Sequence, residues 1–275
     1  TMKCRCYING HALHDEQLPP FAELVPSAAM RRRMSRFLRM GVPTAMAALR
    51  RSGVDPAQVD AIITATGFGC LGDSEKFLHT MVEQREELLN PTPFIQSTFN
   101  TLGAQIALLC GNRAYNMTYA HRGYSFESAL LDAAMLLDEG QAHHLLLGAA
   151  DEQTPAQHRI MERMGLWRRH ADGEGALFLL LSNEAGPRCA GCITEVLFPA
   201  GEELRASDDE LMRRFEADRV VRPEPMQPDC ATGAGRRLAE ALPLLNSEVR
   251  RIVLCNNYMD TNPTVIVIEW AAQRS

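Results

Sequence analysis

The clearest hydrophobic periodicity of the chain runs from Phe126 through Ala129, Leu130, Ala133 and Ala134 to Leu137, positions that share one side of a helix. This spacing predicts a helix buried against a sheet, with Ser125 as its N-cap. A strand-like run, Asn116 to Ala120, precedes it and turns at Gly123, and a buried strand, His144 to Leu147, follows the Gly140 turn. Upstream, Ala28 to Arg51 reads as a helix interrupted near Gly41 and Pro43. Its apolar face carries Met30, Met34, Phe37 and Leu38, opposite Arg31, Arg32, Arg36 and Arg39. Asp60 to Thr66 reads as a strand ended by Gly67 and Gly69, Asp73 to Leu89 as a helix, and Thr101 to Cys110 as a short helix stopped by Gly111 and Asn112. Further strands are expected at Ala176 to Leu181, Ile193 to Leu197, Ile252 to Cys255 and Thr264 to Ile268. Alternating helix and strand signals indicate an α/β architecture. The charged, Pro-rich stretch from Glu202 to Asp229 is the expected linker or surface excursion.

Composition narrows the function classes. The 275 residues are 46% hydrophobic, with no apolar run near the roughly 18 residues of a membrane span. No basic leader precedes an apolar stretch, so a cytoplasmic protein is expected. A net charge of −6 disfavours a general nucleic-acid binder. The eight cysteines lie in apolar or strand-like segments and read as reduced, buried thiols. Cys4-x-Cys6 and Cys189-x-x-Cys192 supply four sulfurs, but alternate strand positions send them apart, so no metal and no cofactor is expected.

One short segment holds a tempting catalytic set, with His121 as general base for Ser125 and Glu127 as orienter. Functional triads are assembled from separate elements, and neighbours at one turn rarely converge. A structural or tunnel-lining His121 and a helix-capping Ser125 are the simpler readings. Gly67 and Gly69 are too sparse for a dinucleotide fingerprint.

Several blocks, taken in order, resemble one family. RRRMSRFLRMGVPTAMAALRRSGV followed by DAIITATGFG is similar to the opening of ketosynthases of the thiolase-like superfamily. PFIQSTFNTLGAQIALLCG resembles their interface helix, HHLLLGAADE the strand after the nucleophile helix, and ADGEGALFLLLSNEA the strand closing the first half. HRGYSFESALLDA and the short C-terminal half resemble the ketosynthase-like N-terminal-domain proteins found with aryl polyene, xanthomonadin and flexirubin-type pigment synthesis. The resemblance implies a thiolase-like αβαβα layered fold, with a complete half over residues 1–200 and an abbreviated half over residues 201–275. It places Gly123 at the elbow where active ketosynthases carry their cysteine, and glycine has nothing to acylate. PDCATGAG resembles a second catalytic loop, with Asp229 or Cys230 where a histidine would stand. NNYMDTNP resembles a shortened oxyanion turn, no HGTGT-like segment exists, and all eight histidines lie before residue 171.

What this implies is a chain-length-factor-like subunit that does not condense. It would form a heterodimer with an active β-ketoacyl-ACP synthase through the Asn116 to Ala120 strand and shape the acyl tunnel. Tyr115, Tyr119, His121, Tyr124 and Phe126 would then lie near the interface or tunnel. Phe94, Gln96 and Phe99 would line or gate the tunnel, or simply pack. Arg31, Arg32, Arg36 and Arg39 would dock an acidic acyl carrier protein, or form a solvated face. The alternatives are a hydrolase or acyltransferase using Ser125, His121 or a cysteine, and a homodimeric acyl-binding protein.

Overall fold

Side chains alternate across each strand, and this alternation sorts the interior into layers. The computed structural model describes residues 2–199, 206–224 and 226–271. The strands are β1 Met2–Leu13, β2 Ala61–Ala65, β3 Tyr115–Tyr119, β4 His144–Asp151, β5 Ala171–Asp172, β6 Gly175–Ser182, β7 Gly191–Leu197, β8 Arg219–Val221, β9 Pro228–Asp229, β10 Arg251–Tyr258 and β11 Asn262–Glu269. The helices are α1 Phe21–Leu24, α2 Ala28–Arg33, α3 Arg36–Ser52, α4 Leu71–Glu83, α5 Pro91–Gln96, α6 Thr101–Cys110, α7 Ser125–Asp138, α8 Pro155–Arg163, α9 Asp208–Phe215 and α10 Gly233–Ala241. Among the described residues, no helix is long and apolar enough to cross a membrane.

Nine strands form one mixed sheet in the order β3-β2-β4-β6-β1-β7-β11-β10-β8, while β5 and β9 make a separate small ladder. β1 pairs antiparallel with β6 on one side and β7 on the other, so it is the seam between two arms. Leu145 and Leu147 of β4, Leu177 and Leu179 of β6, and Ile252, Leu254, Ile266 and Ile268 of β10 and β11 share one cluster with α7 and α10. The intervening Leu146, Phe178 and Leu180 face α3 and α6 on the outside of the first arm. Val253, Cys255, Val265 and Val267 face Leu211 and Phe215 of α9 outside the second. The resulting order, helices, sheet, α7 with α10, sheet, helix, is the layered α/β arrangement of the thiolase-like fold.

Three expectations need correction. The first long helix is broken at Met34 and Ser35, both with extended backbone, and runs unbroken through Gly41 and Pro43. Arg39 compensates at the break by donating from Nε to the Met34 carbonyl and from Nη2 to that of Arg31. Gly41 is required by packing, since a Cβ there would lie 2.6 Å from Leu102 Cδ1. The helix expected to reach Leu89 stops at Glu83, and Arg85, Glu86 and Leu88 turn with positive φ. The described part of the expected linker is structural: Ser207 caps α9, whose Leu211 and Phe215 close the outer core, and β8 extends the sheet. Residues 202–205 and 225 of that stretch lie outside the described residues.

The glycines of the GAG run at 233–235 let α10 approach closely. A Cβ on Gly233 would lie 1.8 Å from Asp229 Oδ1, and one on Gly235 would lie 2.3 Å from Leu177 Cδ2 and 2.8 Å from Phe126 Cε2. Gly235→Val should therefore destabilise the protein by about 1–3 kcal/mol or more through overpacking. Urea unfolding checks this, and an unchanged midpoint would show that α10 does not pack as described.

Candidate functional site

The elbow between β3 and α7 is closed by one hydroxyl. Ser125 Oγ accepts from the His121 N–H at 2.7 Å and donates to the Arg122 carbonyl at 2.6 Å. Ser125 is wholly buried and starts α7, so it ties the turn and does not cap a free helical N–H as expected from sequence. The left-handed residue of the turn is Arg122, with φ +48°, and not Gly123. Gly123 is buried beneath the start of β11: a Cβ there would lie 2.6 Å from Asn262 Oδ1 and 2.7 Å from its Cβ. The position has no room for a side chain.

The His121, Ser125, Glu127 set does not assemble. The imidazole of His121 is exposed, with Nδ1 3.5 Å from Ser128 Oγ and its ring 5.5 Å from that of Tyr124. Glu127 points the other way, into the core, where Thr264 of β11 donates to its Oε1 and its Oε2 has no partner. Burial pushes this carboxyl up to about 7, against the opposing Thr264 hydroxyl.

The two halves meet on Asp151 at the end of β4. Its Oδ1 accepts from Thr66 Oγ1 at 3.0 Å, Gly67 N at 2.7 Å and Phe68 N at 3.3 Å. Its Oδ2 accepts from the N–H and hydroxyl of Thr232 at 3.0 and 2.8 Å. Burial still raises the carboxyl above its ordinary value. Beside it, burial pushes the Cys230 thiol far up, so no thiolate forms there at neutral pH. Asp229 Oδ1 is ion-paired to Arg237 Nη1 at 3.0 Å, and Arg237 Nε donates to Asn256 Oδ1 at 2.8 Å. Both border a cavity of about 340 Å³ that Trp167, Arg169 and Tyr258 also line. Asn256 Nδ2 and Asn257 Oδ1, on the same wall, are buried without partners.

The remaining expected site residues are scattered. β3 is the terminal strand of the sheet, and Tyr115 and Met117 on it are each 41% exposed. Tyr115 Oη donates to Asp132 Oδ2 at 3.1 Å, while partial burial pushes the Tyr119 phenol up to about 12. Tyr124 packs its ring 5.7 Å from Phe198, and Phe126 is a fully buried core residue. Phe94 packs its ring tilted against Phe77, centroids 5.2 Å apart, and stays half exposed, Phe99 covers Gly69, and Gln96 Nε2 donates to the Arg33 carbonyl at 2.7 Å. The four arginines do not form one free face. Arg31 donates to the Val25 and Pro26 carbonyls, Arg39 holds the α2 break, Arg36 pairs with Glu174, and only Arg32 of the four lacks a partner among the described residues. Sequence reading missed Asp151, Thr232, Asn262 and Thr264. The one available signal was an acid ending an apolar strand in GAADE.

The profile of the β-ketoacyl synthase N-terminal domain matches residues 9–210. The chain belongs to that family. Among solved structures it is similar to a type II polyketide synthase acyl carrier protein in complex with its ketosynthase, with TM-score 0.78 and 14% identity over 98% of this chain and 99% of that one. The ishigamide ketosynthase/chain length factor gives TM-score 0.70 and 17% identity over 92% and 86% of the two chains. A ketosynthase in complex with its chain length factor from Xenorhabdus doucetiae gives TM-score 0.58 and 19% identity over 93% and 82%. No curated protein matches the sequence. At these identities the likenesses establish the thiolase-like fold.

Within this ketosynthase-family chain, Glu127 makes a pH signature. Its folded value of about 7 lies above the ordinary 4.5, so the folded state holds a proton that the unfolded state releases. Its favourable contribution is complete below about 4.5 and is lost as pH rises through about 7, a change of roughly 3 kcal/mol. Glu127→Gln should therefore gain stability relative to the wild type between pH 5 and pH 8. Urea midpoints at the two pH values measure this, and parallel pH profiles for both proteins would refute it.

Proposed function

We propose that this chain is a non-condensing, chain-length-factor-like subunit. It pairs with an active β-ketoacyl-ACP synthase in the cytoplasm and shapes the acyl tunnel in aryl polyene-type polyketide or fatty acid biosynthesis. The observation that carries the reading is Gly123, which the family resemblance puts at the nucleophile position and which Asn262 encloses. A cysteine at that site would have to displace the start of β11 before it met any acyl thioester. The second catalytic position, Asp229 or Cys230 by the same resemblance, holds an ion-paired carboxylate and a thiol kept protonated by burial.

The pairing part of the proposal is supported by the sheet edge. Among the described residues β3 pairs in the sheet only with β2, and its outer backbone groups and exposed Met117 offer a strand-addition surface. Leu108 on α6 and Met135 on α7, the helices packed against β3, are also exposed and extend the apolar margin. Solved complexes of ketosynthases with chain length factors share the fold.

Purified alone and incubated with acyl- and malonyl-carrier thioesters, the protein is expected to yield neither an acyl-enzyme nor a condensation product in mass spectra. Gly123→Cys should not restore either, and a stoichiometric acyl adduct on any wild-type residue would refute the non-condensing assignment. Co-expressed with an active, cysteine-bearing ketosynthase from the same organism, the chain should elute as a heterodimer, with an interface on the order of 2,000 Å² or more. Met117→Arg should break that complex without changing the chain's own fold. A chain that stays monomeric beside the ketosynthase would defeat the pairing.

A further inference from the structure

β8 is three residues long and pairs only with Ile252, Val253 and Leu254, whereas β10 runs on to Tyr258. Past the end of β8, the residues from Cys255 to Tyr258 keep β11 as their partner and border the cavity of about 340 Å³. That volume is in the range of small-molecule sites. Among the described residues, neither Gly123 nor Asn262 lines it. The charges around it are mostly matched: Asp229 pairs with Arg237 at 3.0 Å, Asp260 faces His170 at 3.5 Å, and Arg222 holds Asp208 at 2.7 Å. Two charges are left over. The Arg169 guanidinium and the Glu224 carboxylate line the cavity, are exposed, and have no hydrogen-bond or ion-pair partner among the described residues.

The uncharged polar wall is left over in the same two senses. Asn256 is 2% exposed, and its orientation is fixed because its Oδ1 accepts from Arg237 Nε at 2.8 Å. Its Nδ2 is therefore a buried donor without an acceptor, and Asn257 Oδ1 is a buried acceptor without a donor. Buried polar atoms are nearly always satisfied, so an unmatched pair on a cavity wall points to a ligand. We infer that this cavity binds a free α-amino acid with an aromatic or large apolar side chain. The ligand has to bring an anion to Arg169 and Asn256 Nδ2 and a cation to Glu224 and Asn257 Oδ1. The carboxylate and ammonium of one zwitterion do both. Trp167, Tyr258, Met226 and Met259 supply apolar surface for its side chain. The indole is already in place, since Trp167 Nε1 donates to the His158 carbonyl at 3.0 Å and the ring stacks on that of His158 with centroids 5.5 Å apart. Such preorganisation lowers the cost of binding. A simple carboxylate would leave Glu224 and Asn257 unmet, and a neutral amide would leave both charges unused. The inference is independent of the proposed pairing, because every group it uses belongs to this chain.

Titration of the purified full chain with L-phenylalanine tests it, by calorimetry and by Trp167 fluorescence in a Trp270→Phe background. Saturable binding of one ligand per chain, with a change in indole emission, is expected. Three analogues of similar size remove one or both charges: 3-phenylpropionate lacks the ammonium, phenethylamine lacks the carboxylate, and 3-phenylpropanamide carries neither. Each should bind about tenfold or more weakly than L-phenylalanine, and so should glycine, which lacks the ring. Arg169→Gln should lower the affinity for L-phenylalanine about tenfold and leave that for phenethylamine unchanged. Glu224→Gln should lower it by a similar factor and leave that for 3-phenylpropionate unchanged. Both positions are exposed, and thermal melts verify that both variants fold. The inference is overturned if L-phenylalanine shows no saturable binding at millimolar concentration, or if any of the three analogues binds as tightly as the amino acid. Full affinity for L-phenylalanine in either folded variant overturns it as well.

Discussion

Five hydrogen bonds converge on the buried carboxyl group of Asp151, and they hold together two loops that come from the two arms of the sheet. One loop, Thr66 to Phe68, ends β2 in the first arm, and the other, around Thr232, opens α10 in the second. The contact leaves no slack, since a Cβ on Gly67 would lie 2.1 Å from the Ala231 Cβ. The buried backbone N–H of Thr232 and the part-buried one of Gly67 have Asp151 as their acceptor, and a buried donor without one costs about 1–3 kcal/mol. The free energy of burying a carboxyl is thus offset locally, and the orientation of α10 against α7 follows from it. Gly235 against Phe126 and Leu177 completes that seam with close packing.

A second link between the arms runs through the elbow and explains its geometry. Thr264 reaches from β11 to Glu127 on α7, and Asn262, two residues earlier on the same strand, covers Gly123. The turn itself is closed by Ser125, whose hydroxyl is used on both sides by backbone groups. Strand, turn and helix are therefore held by polar groups, Ser125 closing the turn and Thr264 tying α7 to β11. The partnerless Glu127 Oε2 is the exception, and its burial is why that carboxyl keeps its proton near neutrality.

Much of the fold was legible because it is written in local periodicity. The period of α7 and the apolar runs of β4, β6, β10 and β11 stand in the sequence almost as they stand in the structure. Gly41 and Pro43 misled because their local cost in a helix is overridden by burial against Leu102 and β1, whereas the actual break at Met34 and Ser35 has no strong breaker residue. The arginine face failed for a related reason. A helical wheel reports which way a side chain leaves the helix and not the carbonyls it finds, and those of Val25, Pro26 and Met34 come from chain reversals that no periodicity encodes. Asp151 and Asn262 act over sequence separations of 81 and 139 residues, to Thr232 and Gly123, and were beyond local reading.

The two arms are unequal, and the inequality decides which side of the molecule is left open. In the sheet, β7, β11, β10 and β8 repeat outward from the seam the positions of β1, β6, β4 and β2, with α9 and α10 placed like α3 and α7. Among the described residues nothing in the second arm corresponds to α6 and β3. The second arm therefore ends in β8, three residues long with α9 packed on it, the kind of short, covered edge that resists strand addition. The first arm ends in β3, five residues long, with its outer rim unpaired among the described residues and Met117 exposed. Among the described residues one sheet edge is thus short and covered, and the edge next to the elbow is the more available one.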